Sequence, residues 1–361
     1  MTSTPGLELA RAFYEEELQP IVDRVTPRLR YSAARIGRGS EVLGFDDQVS
    51  RDHDWGPRLE IFLNVADFER YAEVLDEAFA TTLPSTSGGY PTSFAIAADG
   101  VGIPASMESD ERIDHRVEVH DLGQWCQSML GFDPRHGITS FDWLATSSHR
   151  LAEVTGGAVF HDGLGELGPM RAALDYYPEP IWRFILASHW TRIGQEEAFV
   201  GRCAQVGDDL GSTIIAARIA RDLMRLCLTM ERQYLPYAKW LGTAFARLDI
   251  AEVITPHLIA SLQSHDSDLR QREIGIAYEI VAKRHNELGL TDVIDENVRP
   301  FWGRRFPVIF PERFAEALQH GLRDTDLADL PLIGSADLFL DSTDVLARAD
   351  RARAAARGLL T

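Results

Sequence analysis

The sequence predicts an α/β domain, of the α+β kind, followed by an all-helical C-terminal domain. In roughly the first 140 residues, apolar runs typical of strands alternate with segments of helical period, which indicates a sheet flanked by helices. Residues 140–290 are mostly long stretches of helical period. We therefore predict a boundary near residue 140, with domains over residues 1–140 and 141–361.

The elements of the first domain follow from local patterns. Apolar residues at helical spacing indicate the first helix, and short runs of apolar residues indicate the strands. Asp67 is the predicted N-terminal cap of the second helix. In chain order, the predicted elements are a helix over 7–25, strands near 30–36 and over 59–65, a helix over 68–80, and strands over 93–98 and 113–120.

Composition narrows the function. The 361 residues carry a formal net charge of -19, which argues against binding to nucleic acid because that needs a basic surface. No apolar run reaches the ~20 residues that cross a bilayer, and the start does not resemble a signal peptide. The three cysteines are too widely spaced to predict disulfides. We expect a cytoplasmic protein with no nucleic-acid or membrane partner.

The segment 39–58 holds a concentration of acidic residues, with four aspartates between residues 46 and 54. So much like charge is unfavourable without a cation. Asp52 and Asp54 are two residues apart, so on an extended segment both carboxylates face the same way. Hard oxygen ligands on one face suit Mg²⁺, which completes its shell with water and substrate phosphates.

A third acid is predicted on the last strand of the first domain. Val117 and Val119 alternate there with Arg116, Glu118 and His120. If the valines face the core, Glu118 points to the opposite face, with a cation and an imidazole beside it. Such a glutamate is a candidate metal ligand.

The pair Gly39-Ser40 has its own chemistry. Glycine lets the backbone approach a phosphate closely, and the serine hydroxyl and nearby N–H groups can donate to phosphate oxygens. A lone Gly-Ser pair is common, so its order before the two aspartates is what makes it informative.

Gly39-Ser40, an eleven-residue spacer and Asp52-His53-Asp54 together resemble the signature of the DNA polymerase beta-like nucleotidyltransferase superfamily. The longer strings 39–58, 208–212 and 234–240 resemble an uncharacterised bacterial family, a domain of unknown function, within that superfamily. The resemblance implies a small mixed sheet with flanking helices and then a helical domain, as in aminoglycoside nucleotidyltransferases.

The implied reaction transfers an NMP group from ATP or another NTP to an acceptor hydroxyl and releases pyrophosphate. Mg²⁺, as a pair of ions, would be held by Asp52, Asp54 and Glu118. The predicted nucleotide contacts are Gly39, Ser40, Arg58, Tyr237 and Lys239. The acceptor would be a small molecule or a protein, because the acidic chain disfavours a nucleic acid.

The resemblance to aminoglycoside nucleotidyltransferases also implies that the general base comes from the helical domain. No spacing rule selects among its candidate acids, of which Asp208 is preferred; the set is Glu196, Glu197, Asp208 and Asp209. Each predicted site residue also has a purely structural interpretation, because Asp-rich loops often cap helices and aromatic residues such as Tyr237 often belong to a core.

Two other function classes remain open at this stage. His53 and Trp55 stand where the superfamily usually has apolar residues, which would suit a nucleotide-binding regulator whose catalysis has lapsed. A glycosidase-like hydrolase needs two acids on opposite sides of a bond, and two acids on one face fit that poorly.

Overall fold

The protein is described by a computed structural model that covers residues 5–47, 49, 55–96, 102–105 and 112–360. The predicted metal ligands Asp52 and Asp54 lie outside these described residues, and so does His53.

The chain divides into two compact units. Unit 1 comprises Met1–Ile138 and Arg150–Asp175, and unit 2 comprises Thr139–His149 and Tyr176–Thr361. Residues 150–175 lie beyond the boundary predicted at residue 140, but they pack in unit 1 because they carry a strand of its sheet.

The strands are short. They are β1 (Ser32–Arg35), β2 (Arg58–Leu63), β3 (Thr86–Ser87), β4 (Tyr90–Pro91), β5 (Ser93–Ile96), β6 (Gly102–Ala105), β7 (Arg116–Asp121), β8 (Ala158–Asp162), β9 (Arg299–Pro300) and β10 (Pro307–Val308). The main sheet has the order β7-β2-β1-β8. The β2–β7 pair is parallel and the pairs of β1 with β2 and β8 are antiparallel, so the predicted mixed sheet is confirmed.

The helices up to residue 173 are α1 (Gly6–Phe13), α2 (Gln19–Val25), α3 (Val65–Thr82), α4 (Leu122–Leu130), α5 (Ser140–Ala145), α6 (Ser148–Thr155) and α7 (Leu167–Ala173). A π-helical turn, Tyr14–Leu18, joins α1 to α2, so the predicted first helix is present. The later helices are α8 (Glu179–Gly194), α9 (Phe199–Gln205), α10 (Asp209–Met230), α11 (Leu241–Phe245), α12 (Asp249–Gln263), α13 (Ser267–Glu287), α14 (Glu312–His320), α15 (Ala336–Phe339), α16 (Thr343–Leu346) and α17 (Ala349–Leu360).

Helix α3 begins earlier than the sequence predicted. Its N-terminal cap is Asn64, whose side chain accepts a hydrogen bond of 2.9 Å from the backbone N–H of Asp67. Asp67 is therefore a residue of the first turn rather than the cap, a position where its negative charge still suits the helix dipole.

The core of unit 1 lies between one face of the sheet and helices α1 to α3. Apolar residues from the strands and helices meet there, among them Ala33, Leu59, Ile61, Val117, Phe13, Leu18, Leu75 and Phe79. The opposite face of the sheet carries Phe62, whose ring makes an edge contact of 5.1 Å with Trp125 on α4. The sheet therefore packs against helices α1 to α3 on one face and contacts α4 on the other.

Unit 2 is built around α8, which is buried along nearly its whole length. A helix that buries most of its circumference belongs inside a bundle. Trp190 of α8 stacks on Phe314 of α14 with a centroid distance of 4.5 Å, and its Nε1 donates to His285 Nδ1. Apart from the β9–β10 pair, the regular elements of unit 2 within the described residues are helical, which confirms the predicted fold class. None of the helices that the structure describes has the length and apolar character to cross a membrane.

Phe79 on α3 provides a test of the unit 1 core. Its side chain is fully buried, so Phe79→Ala should lower the free energy of unfolding by about 3–5 kcal/mol through lost burial and a cavity. Val74→Ala on the same helix, at a 46% exposed position, should change it by less than about 0.5 kcal/mol. Urea unfolding of both variants measures the difference, and equal losses would contradict the assigned core.

Candidate functional site

The parallel strands β2 and β7 place two glutamates side by side. Glu60 is opposite Glu118 in the register of the pair. Val117 is buried in the core of unit 1, and side chains alternate along a strand, so Glu118 projects from the other face of the sheet. The Glu118 side chain is 61% exposed, which leaves its carboxylate open to a ligand.

His120 is the close neighbour of Glu118 on β7. Its Nε2 lies 3.2 Å from Glu118 Oε2, and this contact holds the pKa of Glu118 below its ordinary value. Arg116, the other predicted neighbour, has its guanidinium carbon 5.5 Å from the centre of the Phe94 ring. Glu118 is therefore ionised at neutral pH, which is the form that binds a hard divalent cation.

The Gly39-Ser40 pair lies in the turn that follows β1. Gly39 has a φ of +152°, which favours glycine. Within the described part of the chain, neither the N–H groups of Gly39 and Ser40 nor the Ser40 hydroxyl has a hydrogen-bond partner. Such a set of backbone and hydroxyl donors is what a phosphate group requires.

A buried ionic cluster lies directly beside this turn. Glu41, 3% exposed, accepts hydrogen bonds at one oxygen from Arg35 Nε (2.8 Å), Arg58 Nε (3.0 Å) and Arg58 Nη2 (2.7 Å). Burial alone would raise the pKa of Glu41, but the two guanidinium groups hold it below its ordinary value. Arg35 also donates to Glu60 Oε1 at 2.7 Å.

Sequence reasoning missed three members of this cluster: Arg35, Glu41 and Glu60. The available signal was a glutamate in the middle of an otherwise apolar strand, together with an arginine at the end of the strand before it. Charged residues in such positions are seldom fully buried unless they are paired.

Arg58 was predicted to contact the nucleotide, and the structure shows it bonded to other groups of the protein. Besides its bonds to Glu41, its Nη2 donates to the carbonyl of Arg38 at 3.3 Å. Burial, followed by the nearby charge of Arg35, lowers the pKa of Arg58. Its contact with the nucleotide stays a prediction.

Of the three predicted metal ligands, Glu118 is the one inside the described residues. Among those residues, no group of three or more histidine, cysteine, aspartate or glutamate side chains is placed to hold a metal ion. Glu60 adjoins Glu118, but its two oxygens accept from Arg35 and from the backbone N–H of Ile36. Asp52 and Asp54 lie outside the described residues, so the metal site predicted at Glu118 stays a prediction.

The four acids considered as a general base all have partners within unit 2. Asp208 is exposed and caps α10 by accepting from the N–H of Gly211 at 2.8 Å. The remaining pairs are Glu196 with Arg218 and Arg192, Glu197 with the N–H of Ile309, and Asp209 with Arg270. The structure thus adds a capping role for Asp208 and leaves its role as a base a prediction.

Tyr237 and Lys239 lie beyond the end of α10, around the break predicted at Pro236. Tyr237 is 37% exposed, and its ring centre lies 5.7 Å from that of His149. Lys239 is exposed, and its Nζ lies 4.9 Å above the ring of Trp240. Both side chains are accessible, so the nucleotide contacts predicted for them stay open.

The family model of a domain of unknown function, DUF4037, matches residues 143–241. The match includes Asp208, Tyr237 and Lys239, and it contains two of the strings on which the resemblance to an uncharacterised family rests. The Gly39-Ser40 turn and strand β7 lie outside it.

The chain is also similar to a crystal structure of a nucleotidyltransferase-like protein from Exiguobacterium sibiricum 255-15. The similarity covers 82% of this chain and 81% of that chain at 14% sequence identity, with a TM-score of 0.33. A TM-score this low supports no conclusion about fold or activity. No curated protein matches the chain.

Gly39→Ala should destabilise the protein, because a Cβ there would lie 2.5 Å from Arg35 Nη2 and 2.6 Å from Arg58 Nη2. Gly89→Ala is the control, since Gly89 has a φ of +84° but no atom within 4 Å of a Cβ. We expect about 1–2 kcal/mol from backbone strain at Gly89 and a larger loss at Gly39. If urea unfolding shows equal losses of unfolding free energy for the two variants, a side chain at position 39 does not collide with the arginines.

Glu197 predicts a pH-dependent stability. Burial is the main reason that its pKa rises to about 8. A raised carboxyl pKa means that the folded state binds the proton more tightly, so stability falls as pH rises from about 4.5 to about 8. Glu197→Gln removes this effect. Relative to wild type, the variant should gain up to about 1.4 kcal/mol per pH unit in that window, measured by urea unfolding. A difference that stays constant with pH would contradict the assignment.

Proposed function

We propose that the protein is a Mg²⁺-dependent nucleotidyltransferase. It transfers an NMP group from ATP or another NTP to a hydroxyl of a small-molecule or protein acceptor and releases pyrophosphate. The observation that carries the proposal is a chain of contacts that starts at Arg38 and Glu41, on either side of Gly39-Ser40. It runs through Arg35 and Glu60 to the strand that bears Glu118. That chain of contacts joins a set of phosphate donors to an exposed, ionised carboxylate.

The residues assigned to the metal fit Mg²⁺ by their chemistry. Glu118 supplies an ionised oxygen ligand, and Asp52 and Asp54 precede the first residue of β2 by six and four positions. Three carboxylates are the hard ligands that Mg²⁺ prefers alongside substrate phosphates. When bound, Mg²⁺ would lower the pKa of the acceptor hydroxyl and neutralise the departing pyrophosphate.

The protein's own groups have separate tasks in the proposed reaction. The N–H groups of Gly39 and Ser40 and the Ser40 hydroxyl donate to the terminal phosphates and orient the triphosphate. The acceptor oxygen forms a bond to the α-phosphorus as the bond from that phosphorus to the bridging oxygen breaks. Asp208 takes the acceptor proton. Arg58, Tyr237 and Lys239 are proposed contacts to the nucleotide.

The direct test combines ATP-binding calorimetry, with and without Mg²⁺, and transfer of label from α-labelled ATP to candidate acceptors. Glu118→Gln and Asp52→Ala/Asp54→Ala should lower transfer by at least about a hundredfold, because each removes stabilisation of several kcal/mol. Glu69→Gln on the exposed side of α3 is the control and should leave transfer unchanged.

Transfer that proceeds equally in wild type and in the aspartate double variant would defeat the proposal. Mg²⁺-dependent binding of ATP without transfer to any acceptor would replace it with a nucleotide-binding regulator. Activity that persists in EDTA would favour a metal-independent hydrolase.

A further inference from the structure

Arg35 is the most heavily engaged of the charged groups near the candidate site. It ends β1 and is 1% exposed. Its Nε donates to Glu41. Its Nη1 donates to Glu60 and to the backbone carbonyl of the next residue, Ile36. Its Nη2 donates to the carbonyl of Arg38. A guanidinium can serve so many acceptors because it presents five N–H donors in one rigid plane.

The acceptors of Arg35 belong to two different parts of the site. Arg38 and Glu41 flank the Gly39-Ser40 turn on either side, whereas Glu60 lies on β2 beside Glu118 of β7. One buried group therefore holds both the donors proposed for phosphate and the strand pair that carries the proposed metal ligand. A shift of either part would break hydrogen bonds to a charge that has almost no access to water.

Stability alone does not account for such a cluster. Well-packed apolar residues of similar volume are often as stabilising as a buried ion pair, because two charges lose their hydration when they are buried. What an apolar group cannot do is fix the carbonyl of Arg38 and the carboxylate of Glu41 in one orientation. The arrangement is therefore suited to setting geometry.

We propose that Arg35 is a positioning residue, which holds the Gly39-Ser40 turn at a fixed distance from Glu118 so that one Mg²⁺-bound triphosphate meets both. The inference rests on the proposed function, since it assigns the triphosphate to this turn. Arg35 acts through the turn and β2 rather than by touching the substrate.

Arg35→Lys tests the inference, because lysine keeps the charge and loses the planar fork. The probes are Mg²⁺ with inorganic tripolyphosphate, and Mg²⁺ with ATP, titrated by calorimetry. We expect both to bind at least tenfold more weakly to Arg35→Lys than to wild type. Amide hydrogen exchange in residues 37–44 should be at least tenfold faster in the variant, and Mg²⁺ with ATP should slow it in wild type.

Arg270→Lys is the matched control. Arg270 is also 1% exposed, and it donates to Asp209, Ser212 and the carbonyl of Ser264 in unit 2. The Arg270→Lys variant should lose a comparable free energy of unfolding. It should nevertheless bind both probes with affinities within twofold of wild type and leave amide hydrogen exchange in residues 37–44 unchanged. If Arg35→Lys does not fold, Glu41→Gln loosens the same contact from the other partner and should weaken binding in the same direction.

The outcomes separate the two claims. Wild type that binds neither probe overturns the proposed function and the inference with it. Wild type that binds, with Arg35→Lys or Glu41→Gln within twofold of it, overturns the inference alone. Equal weakening by Arg35→Lys and Arg270→Lys reduces Arg35 to a general stabilising residue and also overturns it.

Discussion

The ion pairs of Arg35 constrain the whole candidate site. A guanidinium that is 1% exposed has lost nearly all its hydration, so it must be met by charges and acceptors in good geometry. Glu41 and Glu60 supply the charges, and the carbonyls of Ile36 and Arg38 supply the rest. Glu41 follows the Gly39-Ser40 turn, and Glu60 lies within β2. Because both pair with the Arg35 guanidinium, this one buried charge fixes the turn and the strand relative to each other.

The sheet of unit 1 makes this arrangement possible by separating its two faces. Ile61 and Val117 point into the apolar core with the helices, and that packing sets the alternation of both strands. Glu60 and Glu118 must then emerge together on the opposite face, side by side because the strands are parallel and in register. The apolar pattern of β2 and β7 thus determines that both glutamates lie on the face opposite the core. Their carboxylates in turn determine which ligands that face can bind.

The alternation of Val117 with Glu118 predicted which face the glutamate occupies, because a period of two residues is a local property of a strand. Short apolar runs followed by long stretches of helical period likewise predicted the order of the two kinds of domain. The partners of Arg58 and the burial of Arg35 could not be predicted, because they depend on contacts between segments far apart in sequence. For Asp208 the sequence is ambiguous. An exposed acid before a helix has the same local pattern whether it caps the helix or serves as a base.

The most direct test of the central claim is a crystal structure of the protein with Mg²⁺ and a non-hydrolysable NTP. The account predicts that Glu118 and the aspartates Asp52 and Asp54 lie about 2.0–2.1 Å from Mg²⁺. The terminal phosphates should accept hydrogen bonds from the N–H groups of Gly39 and Ser40. A nucleotide bound elsewhere, or a metal ion whose ligands do not include Glu118, would contradict it.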